Sequence, residues 1–333
     1  MIEQNYSVLM SVYRKEKAEY LQKSIDSMLS QTVPPQDFVI VCDGLLGDEL
    51  NQVLQKKKQE YPECFQIVQL PENRGLGEAL KEGLVYCKNE LVARMDSDDI
   101  SVPERCEWQL KAFAQNNVSI ISGAVQEFMD DTAQAGTVRY VPESSEKIAV
   151  YAKKRNPFNH PAVMFKKSDV IKAGSYMDFH GFEDYYLWLR MLSGGMKGYN
   201  LSEVLVYMRV GNGMYARRGG VSYLKDMAEF RSWIFKILSI KCKKKIRGYV
   251  NRDDELDETV DAQVFKEAED IAGKVDLRNA FAKLDERERQ ILTLSVIAGY
   301  EGEEVSKIMD MNHNTVRTIK SRALEKMRKL LSV

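Results

Sequence analysis

The chain has 333 residues, of which 44% are hydrophobic and 29% charged, with a formal net charge of −1. That length suits about two domains, and the composition is that of an ordinary globular protein. A net charge near zero excludes a global basic field aimed at nucleic acid or an anionic membrane, so any such partner must be met by a local patch. The five cysteines (Cys42, Cys64, Cys87, Cys106 and Cys242) are odd in number, scattered, and form no CxxC pair. That argues against a disulfide framework and a zinc site, and a reducing cytoplasm is the expected compartment. The opening MIEQNYSVLMSVYRKE has no basic stretch followed by a long apolar one, so no signal peptide is read there. No apolar run reaches the roughly 18 residues of a membrane span.

Short apolar runs alternate with helical patterns through the first half. Ser7 to Val12 reads as a buried strand and Tyr20 to Ser30 as an amphipathic helix, which Pro34 and Pro35 end. Strands follow at Phe38 to Val41 and Phe65 to Leu70, then a helix from about Leu76 to Cys87, then a strand at Leu91 to Met95 that runs directly into carboxylates. This alternation implies an α/β fold with an open, mostly parallel sheet and helices on both faces. Ligands of such sheets bind beyond the carboxyl ends of the strands, where Asp43-Gly44, Asn73-Arg74-Gly75 and Asp96 to Asp99 stand. From Val118 to Arg209 extended runs (Ser119 to Phe128, Ala162 to Phe165, Val204 to Arg209) are interleaved with a helix from about Glu183 to Leu192. After about Met227 the style changes. RSWIFKILSIKCKKKIR reads as an apolar helix with a basic end, DDELDETVD as an acidic linker, and everything from about Val275 as short helices.

RMDSDD, Arg94 to Asp99, places three carboxylates within four residues at a strand end. They repel one another unless a cation neutralises them. Mg²⁺ is typically shared between one or two carboxylates and substrate phosphates. A solvated acidic turn ahead of a helix that starts near Pro103 is the alternative. In order along the chain stand SVLMSVYRKE, FVIVCDG, ENRGLGEALKEGL, ARMDSDDI, NPFNHPAVMFKKSDVIKAG and GFEDYYLWLRML. With these stretches residues 4 to 227 resemble the family-2 glycosyltransferases, an inverting family on the Rossmann-like glycosyltransferase A fold. The likeness is greatest to bacterial polysaccharide-biosynthesis members of the amylovoran type.

The resemblance implies roles motif by motif. Ser11, Val12 and Tyr13 fall where the family holds the nucleotide base. The family commonly has two adjacent acids in VCDG; here the first is Cys42, which leaves Asp43 for a base or ribose contact. Asn73, Arg74 and Gly75 line the nucleotide side, although Gly75 and Gly77 also suit a simple helix entry. Asp96 and Asp98 match the metal-diphosphate motif, so Mg²⁺ or Mn²⁺ is the expected cofactor. The general base falls on Asp184, with Glu183 as second choice, although acids at a helix start are also favoured by the helix dipole. A base is needed because an acceptor hydroxyl must lose its proton as it attacks the anomeric carbon, while a metal offsets charge on the leaving diphosphate. His160 is placed on the acceptor side or is structural. Arg217 and Arg218, in YARRGG, either meet diphosphate oxygens or belong to a solvated loop. Trp188 and Leu189 read as core.

The last third is different. Ile291, Leu292, Leu294 and Val296 mark one helix, and Val305, Ile308 and Met309 a second. After the turn MNHN, Val316, Ile319, Ala323 and Met327 form a stripe opposite Arg317, Lys320 and Arg322. A short helix, a tight turn and a basic helix make a small all-α helix-turn-helix, unless the basic face is only solvated. LDERERQILTL and EGEEVSKIMDMNHNTVRTIKSRALEKMRKLL resemble region four, the promoter-recognition domain of extracytoplasmic-function sigma factors. FRSWIFKILSIKCKKKIR resembles the end of region two, whose polymerase-binding remainder is missing. Asn314, Thr315, Arg317, Thr318, Lys320 and Arg322 are then the DNA-binding candidates.

The expected organisation is a catalytic domain over 1–228, a helix and acidic linker over 229–275, and the helix-turn-helix over 276–333, with a gene-fusion join near Glu229. The leading expectation is metal-assisted, inverting transfer from a nucleotide-sugar donor to a saccharide or lipid-linked saccharide acceptor in cell-surface polysaccharide biosynthesis. A sigma-like DNA-binding regulator is the alternative. A third reading sets the helix from Trp233 to Arg247 on the inner face of the cell membrane as a peripheral contact, against burial of the same apolar residues on a protein partner.

Overall fold

The computed structural model describes residues 5–210 except 135, 178 and 180, and residues 283–331 except 293 and 296–300. The chain divides into two compact units, Met1–Asn212 and Gly213–Val333. The predicted helix and linker over 229–275, the join near Glu229, and Arg217 and Arg218 lie outside the described residues.

The first unit opens with β1 (Tyr6–Val12), α1 (Ala18–Leu29), β2 (Asp37–Cys42), α2 (Asp48–Glu60), β3 (Phe65–Gln69), α3 (Leu76–Tyr86) and β4 (Leu91–Asp96), all as read except α2. β5 (Ile100–Ser101), α4 (Arg105–Gln115), β6 (Ile120–Phe128), β7 (Val138–Arg139) and α5 (Ser145–Tyr151) follow. The unit closes with β8 (Met164–Lys166), α6 (Lys167–Lys172), α7 (Glu183–Ser193) and β9 (Gly198–Arg209). One nine-stranded sheet runs β3-β2-β1-β4-β8-β6-β9-β5, with β7 paired to β6. β1 is parallel to β2 and to β4, and β2 to β3. Every residue of β2 is buried, which is why these strands read as continuous apolar runs rather than alternations.

The mostly parallel expectation holds for the first four strands and then gives way. β8 is antiparallel to both β4 and β6, whereas β6 and β9 are parallel. Only three residues long, β8 closes the sheet between them, and an antiparallel neighbour needs no crossover helix. α2 was invisible to periodicity because QKKKQE masks its apolar side; only Leu50, Leu54 and the stem of Lys57 are buried. α1 ends at Leu29 with Ser30 as its cap, ahead of the prolines expected to end it. β9 begins at Gly198 rather than Val204, because Gly198 to Leu201 pair with Ile120 to Gly123 before a bulge resets the register.

In the second unit α8 (Glu286–Leu292), α9 (Gly302–Ile308) and α10 (His313–Leu331) give the expected helices. Ile291, Leu294, Val305 and Val316 pack into one cluster, and Leu284, Leu292 and Ala323 into another. The turn is shorter than MNHN. His313 and Asn314 are already helical, and Asn312 Oδ1 accepts the Asn314 N–H at 2.9 Å, a helix cap by a residue type suited to it. Among the described residues no helix is long and apolar enough to cross a membrane.

Candidate active site

Three loops meet at the carboxyl ends of β1, β2 and β4. β4 runs straight into the acidic loop. Arg94, 1% exposed, turns its guanidinium onto the Asp96 carboxylate in a two-pronged ion pair. Arg105, itself fully buried, donates to the Arg94 carbonyl at 2.7 Å and so fixes the strand end. Asp98 follows, half-buried, and Asp99 is 2% exposed. Burial first, then Asp96 and Glu16, push the Asp98 carboxyl up to about 7. Burial first, then Asp96 and Asp98, hold Asp99 well above the usual carboxylate range. Asp99 Oδ1 accepts the Arg209 N–H at 2.7 Å, while its buried Oδ2 has no hydrogen-bond partner.

The β2 end is organised around Asp43, 5% exposed. One of its oxygens accepts the Arg74 N–H at 2.7 Å; the other accepts Asn73 Nδ2 at 2.9 Å and the Gly75 N–H at 3.0 Å. Asp43 and Asn73, read separately from sequence, thus hold one another, with the carboxylate turned into the ENRG loop. Gly44 (φ +84°) makes this fit possible, since a Cβ there would meet the Asn73 nitrogen at 2.7 Å. Gly75 (φ +85°) is the cap residue from which α3 starts. Arg74 pairs with Glu78 at 3.6 Å. On β1, Val12 is buried, Ser11 half-buried, and Tyr13 is 38% exposed just beyond the strand.

Glu183 and Asp184 are the first two residues of α7. Asp184 Oδ1 accepts the Tyr185 N–H at 2.7 Å, and Oδ2 accepts Asn156 Nδ2 at 2.6 Å. His160 Nδ1 stands 4.0 Å from the same Oδ2, and Nε2 lies 3.1 Å from the Tyr176 hydroxyl. Burial, with the charge of Arg94 second, keeps the imidazole well below its ordinary pKa despite the nearby carboxylate, so His160 is neutral. Tyr176 is reached by charge from both acidic groups. Its hydroxyl feels Arg94 and Asp96 from β4, and Asp184 and Glu183 from α7. Trp188 is core as expected, ringed by Phe158, His160, Phe165 and Tyr176. On the same helix Leu187 is fully buried and Leu189 only half-buried.

Residues 7–177 match the Glycosyl transferase family 2 domain, and an uncharacterized glycosyltransferase of Haemophilus influenzae is 42% identical over 70% of this chain and 84% of its own length. The chain belongs to glycosyltransferase family 2. It is also 39% identical to the UDP-Gal:alpha-D-GlcNAc-diphosphoundecaprenol beta-1,3-galactosyltransferase of Escherichia coli, over 66% of this chain and 78% of that one. Identity is again 39% to the amylovoran biosynthesis glycosyltransferase AmsE of Erwinia amylovora, over 73% and 89%. Staphylococcus aureus TarS 1–349 in complex with UDP-GlcNAc superposes with a TM-score of 0.56 at 16% identity, covering 98% of this chain and 90% of that one. The Pyrobaculum calidifontis mannosyltransferase PcManGT, in complex with GDP-Man and Mn²⁺, gives 0.54 at 16%, covering 98% and 86%. These two likenesses show the fold, of the glycosyltransferase A kind. Residues 280–329 match Sigma-70 region 4.

Several residues of this glycosyltransferase carry the site without having been singled out in the sequence. Glu16, from YRKE, accepts the Ser97 hydroxyl at 2.8 Å and adds a fourth carboxylate near Asp98. Arg209, the last residue of β9, lies 3.8 Å from the ring centroid of Tyr20 and 4.3 Å from that of Phe128. It donates to the Asp98 carbonyl at 3.0 Å and to the Met129 carbonyl at 2.5 Å, clamping the acidic loop from outside. Its only sequence signal was its place at the end of an extended run. Asn156 is the first residue of the motif NPFNHPAVMF, in which only His160 drew a site role from the sequence.

The donor set suits a hard divalent cation. Asp96, Asp98 and Asp99 crowd together with Glu16 beside Asp98, and the buried Asp99 Oδ2 has no hydrogen-bond partner. Among the described residues no three His, Cys, Asp or Glu side chains form a complete cage. Mg²⁺ is typically shared between one or two carboxylates and substrate phosphates. Asp98 and Asp96 are the residues that would hold the ion, Asp96 while still tied to Arg94. When bound, the ion neutralises charge developing on a leaving diphosphate.

In the second unit α10 buries Val316 and Ala323 and leaves Asn314, Thr315, Arg317, Thr318 and Arg322 exposed, with Lys320 half-buried. The Thr318 hydroxyl is spent on the Asn314 carbonyl at 2.8 Å.

Proposed function

We propose that this enzyme transfers a sugar from a nucleotide-sugar donor, with inversion, to a hydroxyl of a lipid-linked saccharide during assembly of a bacterial cell-surface polysaccharide. The observation that carries the reading is a pair of acidic groups linked through His160 and Tyr176: His160 stands 4.0 Å from Asp184 and 3.1 Å from the Tyr176 hydroxyl, which feels the charge of Arg94 and Asp96. One is the Asp96 to Asp99 loop and the other is Asp184 at the start of α7. Asp98 with Asp96 holds Mg²⁺ or Mn²⁺ and the donor diphosphate. Ser11, Val12, Tyr13, Asn73, Arg74 and Gly75 line the base and ribose with Asp43 holding the Asn73 to Gly75 loop, and Arg217 and Arg218, which lie outside the described residues, are the further diphosphate candidates. Asp184 takes the acceptor proton as the hydroxyl oxygen attacks the anomeric carbon and the bond to the diphosphate breaks. Glu183 is the second candidate for that base, and His160, neutral beside Asp184, faces the acceptor. With Asp184 on the acceptor face of the sugar and the leaving diphosphate on the other, a single in-line displacement would invert the anomeric centre. The 39% identical relatives, one named for a diphosphoundecaprenol acceptor and one for amylovoran biosynthesis, support the lipid-linked acceptor and the polysaccharide product. Such an acceptor brings the enzyme to the inner face of the cell membrane.

The test is a thermal-shift screen of UDP and GDP sugars with and without Mn²⁺. Transfer is then assayed, starting from UDP-galactose and N-acetylglucosaminyl-diphosphoundecaprenol, and the anomeric configuration of the product is read by NMR. A nucleotide-sugar shift that needs the cation, and an inverted product, are expected; a retained configuration removes Asp184 as a single-displacement base.

The second reading is DNA binding by the tail. It rests on the Sigma-70 region 4 match and the exposed polar face of α10. It adds a property to the glycosyltransferase and does not replace it.

A further inference from the structure

The Asp184 carboxylate is held in place by a side chain from another part of the chain. Asn156 Nδ2 donates to Asp184 Oδ2 at 2.6 Å. The amide orientation follows from its other end, where Oδ1 accepts the Phe158 N–H at 3.4 Å. A flipped amide would set two donors face to face there and two acceptors at Asp184. The loop beneath is pinned on every side. Pro157 restricts Asn156 to extended backbone, and the Pro157 carbonyl accepts Asn200 Nδ2 from β9 at 3.0 Å. Phe158 packs edge-on against Trp188 of α7, ring centroids 5.7 Å apart. Asn159 Nδ2 donates to the Gly123 and Arg139 carbonyls at 2.9 and 3.1 Å. Gly198 leaves room for Phe158, since a Cβ there would fall 2.4 Å from its ring. The Asn156 amide is therefore presented by a rigid support rather than by a free loop.

We propose that Asn156 is a positioning residue for proton abstraction, fixing the rotamer of Asp184 and keeping its carboxylate ionised. The inference rests on Asp184 being the general base. A neutral amide donating to a carboxylate favours the charged form. The other groups facing Asp184 work less directly or in the opposite sense. Glu183 adds like charge from its own helix. His160 is neutral and 4.0 Å away. Tyr176, bonded to His160 at 3.1 Å, feels the charge of Asp184 and also that of Arg94 and Asp96 on β4.

Three variants of the full chain test this: Asn156→Ala, the isosteric Asn156→Asp, and Asp184→Asn. The donor and acceptor are UDP-galactose and N-acetylglucosaminyl-diphosphoundecaprenol, followed by pH profiles of kcat. Asn156→Ala is expected to lower kcat roughly 10-fold or more, with the donor KM nearly unchanged. Asn156→Asp sets a second carboxylate against Asp184 and should move the acidic limb of kcat upward by about one pH unit or more. A substrate-free arm follows the melting temperature from pH 4 to 8. Asn156→Asp should lose stability as pH rises, relative to the parent, and the Asn156→Asp, Asp184→Asn double variant should recover it. An unmoved acidic limb, a kcat near the parent value, or no recovery in the double variant overturns the positioning role. If Asp184→Asn is inactive while the limb of Asn156→Asp stays put, the base reading stands and only the role of Asn156 falls. If Asp184→Asn keeps its turnover, both fall.

Discussion

Asp98 sits where a carboxylate is hard to keep charged, half-buried and beside Asp96 and Glu16. A cation there relieves the crowding, so Asp98→Ala should abolish transfer and weaken binding of the nucleoside diphosphate, and EDTA should do the same to the parent enzyme. Activity that survives both treatments would remove the metal role. Asp184 should behave differently, since its task is proton abstraction rather than donor binding. Asp184→Asn is expected to cost roughly 100-fold or more in turnover, the usual scale for a lost general base, with donor affinity nearly intact by calorimetry. His160 contributes to pH-dependent stability with a definite sign. Its folded pKa lies below the unfolded value of about 6.5, so the unfolded chain takes up the proton first. The stability it allows is complete above about pH 6.5 and is lost as pH falls from there toward the folded pKa. His160→Gln, which keeps a partner for Tyr176, should flatten that part of the melting curve against pH; an unchanged slope below pH 6.5 would count against a neutral buried imidazole.

Close approach of backbones decides how the elements bring these residues together. α3 lies on β1 and β2 with no room at Gly83, where a Cβ would meet Leu9 Cδ1 and Val41 Cγ2, both at 2.5 Å. Gly83→Ala should therefore destabilise the first unit by about 1–3 kcal/mol, the range for overpacking a full core. Gly44→Ala meets backbone instead, the Asn73 nitrogen at 2.7 Å, and at φ +84°. It should cost at least about 1 kcal/mol and also loosen the loop that Asp43 holds, so donor affinity and urea midpoint should fall together. Equal urea midpoints for the parent and both variants would mean that α3 and the loop move aside freely. Arg209 applies the same principle from β9. Its backbone N–H, guanidinium and two ring contacts bind the acidic loop to the far edge of the sheet.

The division into two units gives the tail its own test. Every proposed catalytic residue precedes Glu229, so deleting residues 250–333 should leave glycosyl transfer largely unchanged. An inactive but folded truncation would show that both parts form one machine. Residues 250–333 alone should bind DNA weakly. Each phosphate neutralised by Arg317, Lys320 or Arg322 steepens the log–log salt dependence by roughly 0.9, and few such contacts fit on one short helix. The full chain should give no promoter-directed transcripts with core polymerase, because its sigma-like match is to region 4, and tethering to polymerase is what raises the effective concentration of such a domain. Fluorescence anisotropy across a salt series and in vitro transcription check the two statements.

The four parallel strands, the helix-turn-helix and the acidic loop were legible in the sequence, because each is a local pattern. β1, β2 and β4 are continuous apolar runs, and RMDSDD is a single cluster at a strand end. Family membership was equally legible, as ordered motifs leave a mark that does not depend on contacts. The antiparallel insertion of β8 was not, because three residues carry no period. α2 was hidden by its lysines. The pairing of Asp43 with Asn73 joins residues 30 positions apart, Asn156 with Asp184 joins residues 28 apart, and Arg209 with Asp99 joins residues 110 apart. The sequence by itself determined which chemical groups are available and which strand ends carry them. Only the tertiary structure decided which carboxylate is tied to arginine, which is held by an amide and which is left crowded, because burial and hydrogen bonding across distant segments set the charge and the aim of each one.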